Sequence, residues 1–256
     1  MNRVVKVMRM QLANRWIFIG IPLIILAASF LLTLIIWSFI PNDGGVRISG
    51  GSQAVMWYFF ALGIQSLTLT FPFSQGLSIT RRTFFLGTLS LFSLIALITA
   101  VTYWLLGLVE QGTGGWGVGG SFFALDWIAD GPWYQPIAFY FAVMMALFLI
   151  GFWSATIYKR WQATGLLIVG ISVALALVGT LYVIGSRNAW PEVGAFLGSQ
   201  TQLAVAGWFA VLALAPCRRF VPHPASGRAL VGSAVKWNRP RHAESVPLPT
   251  LLHRIP

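Results

Sequence analysis

Six long apolar stretches dominate the pattern of the chain: 16–40, 54–74, 84–109, 136–158, 162–184 and 192–215. Each has 21 to 26 residues, and none has an Asp, Glu, Lys, Arg or His in its interior. A helix crosses the hydrocarbon core of a bilayer in about 20 residues, whereas a membrane β-strand needs only about 10 alternating ones. The pattern therefore predicts an all-α, polytopic membrane protein with six transmembrane helices.

The first stretch follows basic residues, as the core of a signal peptide would. Its apolar run has 25 residues, whereas signal-peptide cores run to roughly 15. Its far end, 37–41, also lacks a small-x-small cleavage pattern. We interpret it as a retained span.

Basic residues alternate between the connecting segments. With six spans, 15 of the 17 Lys and Arg residues lie on one side of the membrane, and only Arg47 and Arg187 lie on the other. Five of the six acidic residues share that poorer side. The excess of Lys and Arg on the inner side of membrane proteins predicts cytoplasmic N- and C-termini in the cell (plasma) membrane.

Composition supports lipid as the surrounding solvent. The chain is 57% hydrophobic and 9% charged, against about 25% charged residues in soluble domains. Its net charge is +11. Because the basic residues lie between apolar stretches, anionic lipid is the expected partner and nucleic acid is not.

Residues 1–15 have the pattern of an interfacial helix. Val4, Val5, Met8 and Leu12 fall on one arc of a helical wheel, and Arg3, Lys6 and Arg9 on another. A helix lying in the interface would direct such cations toward headgroups. The alternative is a frayed basic segment that only sets topology.

The predicted cytoplasmic loop at 75–83 is short and basic. Ser78 or Thr80 is a candidate cap for a short helix, and Pro72 is expected to bend the span before it. Arg81 and Arg82 beside two phenylalanines resemble a protein-docking surface, because Arg and aromatic residues are enriched at interface hot spots. The alternative is an Arg pair that only sets topology.

Two further segments lie outside the spans. Residues 110–135 form a glycine-rich, acidic and aromatic external loop, which we expect to be flexible and either to cover an outer cavity or to act as a passive connector. The tail at 216–256 has seven Pro and seven Lys and Arg residues, which predicts disorder on the cytoplasmic leaflet. It contains all three His, too scattered for a metal site, and the single Cys217, which rules out an intrachain disulfide.

Residues and motifs that are absent from the sequence disfavour several classes of function. Uncharged spans disfavour an ion-driven pump, because ionisable residues inside a membrane usually carry that work. The sequence has no intramembrane protease constellation and no phosphate-binding Gly-x-x-x-x-Gly-Lys-Ser/Thr loop. We therefore expect no enzyme activity, cofactor or metal on this chain. Small residues at helical spacing, such as Gly170 and Ala174, favour close helix contacts, either internal or between subunits.

Three features together resemble the permease subunits of type-2 ATP-binding-cassette (ABC) exporters, particularly those of high-GC Gram-positive bacteria. They are the entry Met8-Arg9-Met10-Gln11-Leu12-Ala13-Asn14-Arg15-Trp16, the stretch at 71–88, and the six-span layout over residues 1–215. The stretch at 71–88 reads FPFSQGLSITRRTFFLGT. The resemblance does not extend to the tail.

The resemblance implies partners and site residues. Two permease subunits, identical or different, would pair above two copies of a separate ABC ATPase. The elbow helix of the family falls on 2–15, and a short re-entrant element on 189–200. The coupling helix that docks into the ATPase falls on Gly76, Ser78, Thr80, Arg81, Arg82, Thr83, Phe84 and Phe85.

The sequence thus predicts three parts: an elbow helix at 1–15, a transmembrane domain at 16–215 and a tail at 216–256. The leading hypothesis is the permease subunit of an ATP-driven exporter for a hydrophobic or amphipathic substrate. The alternatives are a non-transporting scaffold, immunity or sensor subunit, and a secondary transporter, which the uncharged spans disfavour.

Overall fold

The structure is a computed structural model that describes residues 3–12, 16–41, 47–72, 80–129 and 131–214. The predicted disordered tail at 216–256 lies outside the described residues, as do 73–79, which include the first five residues of the predicted loop. The described chain is mostly helical. Three helices are long and apolar enough to cross a membrane: Trp16–Phe39, Arg82–Gly112 and Tyr134–Ser186.

The described residues of the first half include helices α1 to α4. Helix α1 is Arg3–Gln11, and a π-helical turn at Trp16–Gly20 leads into α2, Ile21–Phe39. Helix α3, Gln53–Gln65, continues through a second π-helical turn, Ser66–Thr70. Helix α4, Arg81–Gly112, contains the whole of the third predicted span.

The segment after α4 folds into short elements. A π-helical turn at Gly115–Gly119 precedes strand β2, Gly120–Ser121, which pairs in parallel with β1, Arg47–Ile48. Arg47 lies opposite Gly120, and Ile48 opposite Ser121. The four-residue helix α5, Asp126–Ala129, follows.

The fourth and fifth predicted spans form one element, α6, Tyr134–Ser186, of 53 residues. At 1.5 Å per residue it would measure about 80 Å, far more than the roughly 30 Å hydrocarbon core. The element is broken at Gln162, whose φ of 54° and ψ of −151° lie outside the helical region. The predicted connection at 159–161 is therefore a single-residue break, and the halves 134–161 and 163–186 are each about 36–42 Å long.

The sixth predicted span, 192–215, is not one helix. Helix α7 is Trp190–Gly198 and helix α8 is Gln202–Leu214. Thr201 Oγ1 accepts a hydrogen bond from the Ala204 backbone N–H at 3.3 Å, so a new helix begins within the polar run 199–202 that the predicted span included. The short helix α7 falls where the family resemblance implied an element before the last span.

The core lies between α3 and the first half of α6. A Cβ atom at Gly63 would lie 2.1 Å from the Phe148 carbonyl oxygen, and one at Gly151 would lie 2.1 Å from that of Phe60. Only glycine therefore permits this close approach of two helix backbones. Large side chains fill the space around it, including stacked Phe92 and Phe148 with ring centroids 4.1 Å apart.

The second half of α6 has a different environment. Every residue from Leu166 to Val183 is exposed. A helix that is apolar on all sides belongs in lipid or against another protein.

Candidate functional site

One end of the bundle, which we call the base, gathers the predicted elbow and coupling elements. Its buried cluster consists of Val7, Leu67, Phe84, Phe152 and Ala155. These residues come from α1, the π-turn after α3, the first turn of α4 and the first half of α6. Four elements that are distant in sequence therefore share one apolar contact at the base.

Helix α1 confirms the helical prediction but packs through a face that the sequence pattern missed. Val7 is fully buried, and Gln11, one turn later, is 3% exposed and donates from Nε2 to Thr88 Oγ1 at 2.7 Å. The predicted apolar arc instead leaves Val5 exposed and Met8 and Leu12 half-buried.

The structure describes one of the three predicted cationic side chains of α1. Arg9 is exposed, and the side chains of Arg3 and Lys6 lie outside the described residues. The helical wheel separated only apolar from charged residues, so it did not predict that the polar Gln11 faces the protein.

The start of α4 is capped as the sequence indicated. The Thr83 backbone N–H donates to Thr80 Oγ1 at 3.3 Å, and the two threonine hydroxyls are 2.8 Å apart. Thr80 is thus the N-cap, although the helix it caps is the long α4 and not a separate short one. Gly76 and Ser78 lie outside the described residues.

The predicted docking surface is smaller than its sequence suggested. Arg82 is exposed, and the Arg81 side chain lies outside the described residues. Phe84 is only 1% exposed and packs edge-on against Phe71 at 5.3 Å, while Phe85 packs against Phe152 at 5.7 Å. Burial in the base cluster removes Phe84 from the surface, and its predicted place in the docking segment stays a prediction.

Lys159 ties the first half of α6 to the base. Its Nζ donates to the Leu67 carbonyl oxygen at 2.6 Å and lies 5.2 Å from the centroid of the Phe71 ring. The acceptor belongs to the π-helical turn Ser66–Thr70, where the backbone departs from the regular α-helical ladder. Lys159 thus has a structural contact beyond the topological role that its charge predicted.

The opposite end of the bundle, which we call the cap, comprises residues 47–52, 113–129 and 131–133. The glycine-rich loop predicted to be flexible is instead packed. Phe122 and Phe123 are buried, with ring centroids 4.7 Å apart. Four glycines with positive φ allow the tight path that places these rings, namely Gly114, Gly115, Gly117 and Gly119.

Glu110 organises the cap from the end of α4. Its carboxylate is 2% exposed and accepts hydrogen bonds from the Trp116 indole N–H at 2.7 Å and from three consecutive backbone N–H groups. Those groups belong to Phe122 at 3.0 Å, Phe123 at 2.9 Å and Ala124 at 2.9 Å. A buried carboxylate is tolerated only when it is hydrogen-bonded in this way.

The sequence carries a partial signal for this role. Glu110 follows directly on an apolar span and precedes the glycine-rich loop, but charge counting placed it among solvent-facing acids. Only the folded loop brings the amide groups to its carboxylate.

Arg47 makes the complementary connection on the other side of the cap. Its guanidinium donates to three backbone carbonyl oxygens, those of Trp37 at 3.1 Å, Val118 at 3.0 Å and Ile40 at 2.8 Å. It thereby joins the end of α2 to the glycine-rich loop beside the β1–β2 pair. Arg47, one of the two basic residues on the side that is poor in Lys and Arg, therefore has a defined structural position.

Two cavities lie beneath the cap on either side of Tyr140. The smaller, of about 260 Å³, lies between α4 and the first half of α6 and includes Tyr103, Trp104 and Trp133 in its wall. The larger, of about 480 Å³, lies between α3, α6 and α8 and is almost entirely apolar. Tyr140 contributes to both walls, and its hydroxyl donates to the Phe123 carbonyl oxygen at 2.7 Å.

Among the described residues, no group of three or more His, Cys, Asp or Glu is placed to hold a metal ion. The chain matches no family model, no curated protein and no solved structure. The base, the cap and the cavities are therefore the features from which a function is inferred.

Proposed function

We propose that this protein is the permease subunit of an ATP-driven exporter of the type-2 ABC class, acting on a hydrophobic or amphipathic substrate. A separate pair of ATPase subunits supplies the energy, and a second permease subunit completes the transmembrane pathway. The chain crosses the cell membrane six times, with both termini in the cytoplasm and anionic lipid around its basic ends.

The observation that carries this proposal is the shared cluster at the base. Val7 of the proposed elbow helix and Phe84 of the proposed coupling segment belong to one buried group, which also includes Phe152 of α6. A force applied to the loop between α3 and α4 would reach α1 and α6 directly through these contacts. An ATPase can transmit force to the membrane helices only if the end of this loop is anchored to them.

The exposed part of α6 supports a second permease subunit. From Leu166 to Val183 no residue is buried by the rest of the described chain. A Cβ at Gly170 would meet no side chain and no other described element within 4 Å. Small residues on such a helix permit close contact with another membrane helix. The proposed second subunit, a copy or a relative of this chain, would lie along it.

Orientation is tested by thiol labelling of intact cells. With Cys217 replaced by Ser, a cysteine at Ser121 of the cap should react with a membrane-impermeant maleimide, and one at Ser78 should not. Labelling at Ser78 with protection at Ser121 would reverse the proposed orientation.

The motor is tested by charge reversal at Arg81 and Arg82. We expect the wild-type chain, purified from its own cells, to bring down an ABC ATPase whose hydrolysis responds to it. The R81E/R82E variant should lose most of this association. An Arg that is buried against the docked ATPase and loses its partner there costs about 2–5 kcal/mol of binding free energy. R187E is the matched control, since Arg187 is exposed and belongs to the segment after α6.

Two outcomes would contradict the proposal. Unchanged association and ATPase response in R81E/R82E would exclude this loop as the coupling element. Absence of any ABC ATPase from the wild-type complex would favour a non-transporting scaffold, immunity or sensor subunit.

A further inference from the structure

The larger cavity has the form of a groove between two helices that flank a third. Helices α3 and α8 both pack on the first half of α6 and contribute its side walls, with Met56 and Trp57 on one side and Val205 and Phe209 on the other. Val143 and Leu147 of α6 form the floor. Its volume of about 480 Å³ lies within the roughly 300–1,000 Å³ range of ligand pockets.

The chemistry of the lining selects the ligand class. Side chains along the three helices are aliphatic or aromatic, and polar groups are confined to the cap end, where Ser52 and Gln53 lie. A peptide or a polar metabolite would leave its hydrogen-bonding groups unpaired along such walls, which disfavours its binding. A hydrocarbon chain with one polar end has the matching distribution.

The depth of the groove matches one leaflet of a bilayer. Its α6 wall extends from Phe139 to Leu147, which is about 12 Å along a helix. Half of a hydrocarbon core is about 15 Å. An acyl chain that lies in the groove with its polar end toward the cap would therefore occupy a single leaflet and stop near the middle of the membrane.

The rim is placed for exchange with the membrane. Trp57 is 60% exposed and Trp127 is 51% exposed, although both contribute to the wall. Indole rings favour the interface between headgroups and hydrocarbon. The rim is thus open to lipid, while the cap residues Leu125 and Ile128 close the end of the groove above Tyr140.

We propose that this groove binds one acyl chain of a lipid from the leaflet at the cap end, with the lipid headgroup beside Gln53. The site is formed within a single chain, so it requires neither a second permease subunit nor an ATPase. It is therefore independent of the transport function proposed above.

The test uses phosphatidylglycerol that carries a photoreactive diazirine at the middle of one acyl chain. The full-length protein is reconstituted into phosphatidylglycerol vesicles containing this probe, irradiated, and mapped by peptide mass spectrometry. We expect labelling at Val143, Leu147 and Phe209 to exceed labelling at Ile98, which is 58% exposed on α4. Labelling at Ile98 reports random contact with bulk lipid.

Groove-filling variants provide the second measurement. V143W places an indole in the groove and should abolish labelling of Leu147 and Phe209, together with the lipid retained through detergent purification. V205F fills less of the space and should reduce both signals if V143W does not fold. I98W is the matched control and should leave both unchanged.

Equal labelling of the groove and of Ile98, or unchanged lipid retention in a folded groove-filling variant, would overturn the proposal. So would protection of the groove residues by a second copy of the chain, detected as protein–protein crosslinks in place of lipid adducts.

Discussion

The close approach of α3 and α6 makes Gly151→Ala an informative perturbation. The added Cβ would lie 2.1 Å from the Phe60 carbonyl oxygen, whereas ordinary contact begins at 3.4 Å. The helices must therefore separate locally by about 1.3 Å, the difference between those two distances. Because the obstructing atom belongs to the backbone, no side-chain rotation can relieve the clash.

The expected magnitude follows from two opposing terms. Overpacking of a well-packed interior costs about 1–3 kcal/mol, and separation also weakens the dispersion contacts around Phe148. Alanine gains up to about 1 kcal/mol over glycine in helix propensity. We expect a net loss of about 2 kcal/mol for Gly151→Ala, near the upper end of the overpacking range less that gain.

A second glycine tests whether the cost arises from one interface. Gly63→Ala should be similarly destabilising, since its Cβ would lie 2.1 Å from the Phe148 carbonyl oxygen. The double variant should lose less than the sum of the two single losses, because helices already separated by one methyl group accommodate the other.

The assay is unfolding of the purified protein in mixed detergent, followed by the fluorescence of its 12 Trp residues. Gly207→Ala, within α8, is the matched control, because no side chain and no other described element lies within 4 Å of its Cβ position. This control should equal or exceed the wild type in stability. Stability of Gly151→Ala equal to that of the control would refute the inferred backbone contact.

Two further perturbations test the ends of the bundle. Glu110→Gln should destabilise the protein by at least about 2 kcal/mol, because the amide removes the charge and directs a donor toward the backbone N–H groups. Limited proteolysis should then cut the cap. The control Glu192→Gln, at an exposed site, should behave like the wild type. Phe84→Ala should cost about 3–5 kcal/mol and speed amide hydrogen exchange in α1, whereas Leu86→Ala, at a side chain 43% exposed, should do neither. Unaltered exchange in α1 after Phe84→Ala would show that the base cluster does not connect the two helices.

Local sequence patterns determined much of the helical content. The apolar stretches at 16–40 and 84–109 correspond to the helices Trp16–Phe39 and Arg82–Gly112. Thr80 was identifiable as a cap because a hydroxyl before a helix can accept from an N–H group of its first turn. These features depend on residues close together in the chain, which is why hydropathy and capping rules find them.

Breaks within apolar stretches were less accessible. Lys159 and Arg160 located the connection before Gln162, but they did not show that the helix would be broken at a single residue. The polar run Ser199-Gln200-Thr201-Gln202, which divides the last predicted span, is hidden when apolar character is averaged over the whole stretch. Hydropathy reports the transfer of side chains from water and carries no information on a single backbone torsion.

Only the tertiary structure decided which residues face protein. Lipid and a protein core are similarly apolar, so the same pattern describes the exposed Leu175 and the buried Phe148. The burial of Glu110 required the glycine-rich loop to return its amide groups to the end of α4, and the roles of Gly63 and Gly151 required a second helix at contact distance. Such properties arise from pairs of segments that are distant in the chain. The sequence does not show them, because each apolar segment taken alone is equally compatible with contact to lipid and with contact to protein.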